Sequence, residues 1–105
     1  MDAPVFTLHR YFETYRETEY KEFVVGEVAI PFPNELMNAP TSEAARLIVE
    51  DSSDLRYRPD NQDPTKTSGV RLIDETFSQR ELANLRLISV DGPITVRVLV
   101  HHYRR

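Results

Sequence analysis

Hydrophobic residues gather toward the two ends of this chain and thin out in its middle. Val5-Phe6-Thr7-Leu8 and Tyr11-Phe12 are β-forming, and the run from 20 to 30 continues the trend with Phe23, Val24, Val25 and Val28. The pattern predicts two antiparallel strands, 5–12 and 20–30, joined across residues 13–19. A helix over 9–23 is the competing reading, because Tyr11/Tyr15 and Phe12/Arg16 recur at four-residue spacing. The threonines and tyrosines of the segment favour strand. Gly26 suggests a bulge or a close backbone approach. Ile30-Pro31-Phe32-Pro33 then stops the pairing, since proline has no N–H to donate.

Ala44, Ala45, Leu47 and Ile48 form an apolar stripe behind Thr41 and Ser42, either of which can cap, so a short helix is expected at 42–50. Residues 51–69 carry turn formers and almost no large aliphatics, leaving Leu55 and Tyr57 as anchors. A polar loop, flexible or ordered by a partner, is expected there. Val70 to Ile73 predicts a short strand. Ser78-Gln79-Arg80-Glu81 fits a capping box, and Phe77 with Leu82 fits a hydrophobic staple, predicting a helix over 79–85. Residues 85–90 and 94–103 read as strands, with Val96, Val98 and Val100 facing the core and Arg97 on the reverse side. A two-residue hairpin at Asp91-Gly92 would set Arg86 opposite Arg97, which requires a longer loop or a carboxylate between the guanidinium groups. Pro93 argues for the longer loop.

The resulting expectation is a single α+β domain spanning 1–105: a four- or five-stranded, mostly antiparallel sheet with two short helices on one face. A small barrel or sandwich is the alternative. With 105 residues, one modest core is available, and dimerisation is a credible supplement to its stability.

Composition narrows the chemistry. There is no cysteine, which excludes disulfides, thiol nucleophiles and cysteine-ligated metals. No stretch approaches the roughly 18 apolar residues of a spanning helix, so a cytoplasmic chain without membrane contact is expected. The net charge of -4 argues against broad attraction to nucleic acid, although 70–105 carries an excess of base. His101 and His102 would point to opposite faces of a strand, so a joint metal site with His9 and Glu13 is disfavoured. Asp51, Asp54, Asp60, Asn61 and Asp63 lack the glycine and closing glutamate of a calcium loop. No glycine-rich phosphate loop or nucleophile turn is present, and Glu13, Glu17, Glu19 and His9 sit in a charged, solvent-prone segment. No cofactor and no catalysis are expected.

Seven of the ten phenylalanine and tyrosine residues lie in the first 32 positions. One small core does not readily absorb them all. The favoured reading is therefore a protein-interaction or accessory module, self-associating or bound to another protein, with Tyr11, Tyr15, Tyr20 and Phe23 as the interface. One alternative is nucleic-acid binding through Arg71, Arg86, Arg97, Tyr103 and Arg104. Another is a small-molecule pocket or small enzyme built on the N-terminal rings.

Overall fold

The computed structural model describes residues 15–37, 42–50 and 52–103. The expected strand 5–12 lies outside them. Eight strands form two antiparallel four-stranded sheets: β1 (Tyr15–Val25), β2 (Ile30–Pro31), β3 (Ser42–Ile48), β4 (Leu55–Arg58), β5 (Val70–Leu72), β6 (Asp74–Ser78), β7 (Arg86–Ser89) and β8 (Ile94–Tyr103). The first sheet runs in the order β1-β8-β3-β6 and the second β2-β7-β4-β5. Neither closes into a barrel. The single helical sheet cover expected from the sequence is replaced by sheet against sheet, with inward residues of both sheets sharing one core.

Helix is scarce. The expected helix at 42–50 is strand β3, whose Ala45 and Leu47 are buried, as is Val49 just after it, while Arg46 is exposed. Period two wins over the stripe because β3 lies between β8 and β6 and hydrogen-bonds on both sides, outweighing the modest helix preference of alanine. The other helix exists as α1 (Gln79–Ala83), two residues shorter than expected. Its capping box is formed: the Ser78 hydroxyl accepts from the Glu81 N–H at 3.2 Å, and the Ser78 N–H donates to Glu81 Oε1 at 2.8 Å. A 3-10 turn occupies Asn34–Met37.

Three further expectations change. Residues 15–19 belong to strand β1 rather than to a turn, so the described part of 9–23 is extended. Gly26 follows the end of β1 and its carbonyl accepts from the Ser89 N–H at 2.8 Å, although an added Cβ would meet nothing within 4 Å; the irregularity in β1 falls instead between Tyr15 and Glu17. Within 51–69, β4 forms an inner strand of the second sheet, anchored by the two residues singled out, Leu55 and Tyr57, both buried.

Asp91-Gly92 does not close a hairpin. β7 and β8 belong to different sheets, and Gly92, at φ 75°, turns the chain from one to the other. Its N–H donates to Glu27 Oε2 at 3.0 Å. Every link between consecutive strands crosses between sheets except β4 to β5. β8 matches its expected bounds, with Val96, Val98 and Val100 fully buried in the core.

Candidate functional site

The register of the first sheet fixes which side chains share its outer face. On β8, residues 94, 96, 98, 100 and 102 turn inward, leaving Thr95, Arg97, Leu99 and His101 outside. Their partners on β1 are Val24, Glu22, Tyr20 and Thr18. β3 adds Ile48 beside Arg97 and Arg46 beside Leu99. The face is a mosaic: Tyr20 and Val24 are 55% and 58% exposed, Leu99 and Ile48 are half-buried beside them, and ion pairs border the group. Arg46 makes a two-pronged bond to Asp74, at 2.7 and 2.6 Å. Tyr20 donates its hydroxyl to Glu22, and that bond, together with desolvation, raises the phenol above its usual range.

Phe23 is three residues from Tyr20 and therefore on the opposite side of β1. Its ring meets Phe32 edge-on, centroids 5.6 Å apart, at the margin of the core. The structure thus separates Tyr20 from Phe23. Tyr11 lies outside the described residues, and Tyr15 is placed through its backbone as the register partner of Tyr103.

The basic set is also divided. Arg97 is on the first sheet, 3.7 Å from Glu50, whereas Arg71 and Arg86 lie on the outer face of the second; Arg104 is outside the described residues. Sequence reading missed Arg56 and Arg58, which stand opposite Arg71 and Arg86 respectively. The like-charge conflict anticipated for Arg86 and Arg97 occurs at Arg86 and Arg58 instead. Carboxylates from the acidic middle relieve it: Asp54 accepts from Arg56 at 2.9 Å, Asp60 from Arg58 at 2.5 Å, and Asp63 from Arg86 at 2.7 Å. The guanidinium beside each of Asp54 and Asp60 lowers that carboxyl below its ordinary range. The acidic segment therefore supplies a carboxylate to each of Arg56, Arg58 and Arg86 on this face.

His101 and His102 point to opposite faces. His101 lies 3.2 Å from the Thr18 hydroxyl on the outside, while His102 is buried with Nε2 3.1 Å from Glu19. Among the described residues, no three histidine, aspartate or glutamate side chains converge on a metal-sized site. Ser42 is the register partner of His102, and its buried hydroxyl has no hydrogen-bond partner among the described residues. A serine–histidine–glutamate sequence of neighbours is thus present without the serine-to-histidine bond that would activate a nucleophile. Ser42, expected as a helix cap, is instead the first residue of a strand.

A shallow depression of about 500 Å³ lies between the 3-10 turn and α1, lined by Asn34, Met37, Gln79, Arg80, Leu82 and Ala83. Among the described residues, Tyr20, Phe23 and Phe32 do not line it. Among the described residues, no helix is long and apolar enough to cross a membrane.

No family model, curated protein or solved structure matches this chain. The geometry alone carries the functional reading.

One buried group couples the two sheets. Tyr57 on β4 donates its hydroxyl to Glu75 on β6 at 2.8 Å, and its ring meets Phe77 edge-on at 5.3 Å. Burial first, then the carboxylate, pushes this phenol up to about 12. In the unfolded chain it titrates near 10. Between those values the folded state holds more protons, so stability present below pH 10 should fall as pH rises toward 12, by on the order of 2 kcal/mol. Urea unfolding across that range should show the decline, and Tyr57→Phe should lose this part of it. An identical alkaline slope in the variant would assign the effect elsewhere.

Proposed function

We propose that this chain is a non-catalytic protein-interaction module whose contact surface is the outer face of the first sheet around Tyr20. The observation that carries this reading is the projection of Tyr20 and Val24 from β1, more than half exposed, beside half-buried Leu99 and Ile48. Burying Tyr20 and Val24 against another protein removes apolar area from water, while Arg97 and Arg46 at the border supply orienting hydrogen bonds. Aromatic and arginine side chains in that arrangement are the usual anchors of protein contacts.

Native mass spectrometry of protein purified from its own host tests the reading. A retained protein subunit, released by Tyr20→Ser without change in circular dichroism or unfolding midpoint, is expected. A retained metabolite with no protein subunit would replace it with a small-molecule function.

A further inference from the structure

We infer that Asp91-Gly92 is a site of spontaneous covalent modification, the conversion of aspartate to isoaspartate through a cyclic imide, and that the Glu27 carboxylate holds this reaction back in the folded chain. Asp91-Gly92 is the one place in the sequence where glycine follows an aspartate or an asparagine. Glycine lacks the Cβ that crowds the backbone nitrogen elsewhere, which leaves that nitrogen open to the neighbouring carboxyl. The Gly92 nitrogen bonds to Cγ of Asp91 in its carboxylic acid form, and the amide proton leaves with the acid's hydroxyl as one water. A second water then reopens the ring. Cleavage of the nitrogen–Cγ bond returns aspartate, whereas cleavage between the nitrogen and the Asp91 main-chain carbonyl carbon gives isoaspartate, with no change in mass and no oxidant or reductant.

Asp91 is exposed, and residues 90–93 are the link by which the chain passes from β7 in the second sheet to β8 in the first. The attacking atom is engaged, however: the Gly92 N–H donates to Glu27 Oε2 at 3.0 Å. Glu27 Oε1 accepts from the Lys66 ammonium at the same time. The bond from Lys66, followed by that from Gly92, lowers the Glu27 carboxyl below its ordinary range. So weak a base does not remove the Gly92 proton. Its negative charge opposes the amide anion that attack requires, and the charge-assisted bond must break before the nitrogen can turn toward Cγ. Ser89 fastens the same link twice, its hydroxyl donating to the Gly92 carbonyl and its N–H to the Gly26 carbonyl beside Glu27. Isoaspartate adds one carbon to the main chain at this crossing, so the Gly92 bonds to Glu27 and Ser89 must then move.

Tryptic mapping of the full-length protein tests the assignment, because residues 87–97 are released as one peptide in which Asp91 is the sole acidic residue and no asparagine occurs. Isoaspartate is read as a peptide of identical mass and altered retention after incubation at physiological temperature and pH. In urea, wild type and Glu27→Ala should accumulate it at equal rates. Folded wild type should lag its own urea rate by about tenfold or more, and folded Glu27→Ala, with an unchanged unfolding midpoint, should recover about tenfold. Glu27→Gln keeps a neutral acceptor and should fall between the two. No isoaspartate at Asp91 even in urea overturns the site. Folded wild type as fast as the unfolded chain, or folded Glu27→Ala no faster than wild type, overturns the guarding role of Glu27.

Discussion

Phe32→Ala should destabilise the fold by about 3–5 kcal/mol, a large part of the roughly 5–15 kcal/mol available to a domain of this size. Phe32 is 1% exposed and stands just after β2. Its N–H donates to the Leu85 carbonyl at 3.0 Å, which fixes the backbone, and its ring stands perpendicular to that of Phe23. Truncation loses the transfer energy of the ring, leaves a cavity beside Phe23, and exposes no compensating polar group. Chemical denaturation should show a lower midpoint with an unchanged slope. Phe32→Leu, which refills most of the volume, should retain most of the stability. A loss below about 1 kcal/mol for alanine would show that Phe32 is not a pillar of this core.

Gly69→Ala should produce the second large loss. Gly69 has φ 104°, and an added Cβ would lie 3.0 Å from the Pro64 Cβ and 3.1 Å from the Tyr57 carbonyl oxygen. The backbone term alone costs about 1–3 kcal/mol, and the carbonyl belongs to an inner strand that does not give way readily. Gly92→Ala carries the conformational cost without a close neighbour, and Gly26→Ala has nothing within 4 Å. Unfolding free energies should therefore rank Gly69→Ala as the worst, Gly92→Ala next and Gly26→Ala last. Equal effects at 69 and 92 would remove the close-approach argument.

The chain discloses its local signals better than its pairings. Ser78 and Glu81 form a capping box because both bonds lie within one turn, and β8 is legible because its valines alternate over a long run. β3 is harder: Ala45, Leu47 and Ile48 satisfy helical and strand spacing alike, and only its two hydrogen-bonded neighbours decide between them. β6, reading Asp-Glu-Thr-Phe-Ser, has one large apolar residue and gives no strand signal. Allocation of strands to two sheets depends on partners far away in sequence, which no local pattern encodes. At the candidate surface, composition drew attention to Tyr20 and Phe23 together, yet their three-residue spacing on a strand already places them on opposite faces. The arginine face was legible in part through Arg71 and Arg86; Arg56 and Arg58 were hidden by the polar character of the segment around them.

The placement of β8 between β1 and β3 has a kinetic consequence. Residues 15–25 emerge from the ribosome long before residues 94–103, their only described strand partner. At about 5–20 residues per second, roughly 4–14 s of translation separate the two segments. Throughout that interval the nascent chain carries this aromatic-bearing β segment without β8, and chaperone occupancy or premature aggregation should be concentrated there.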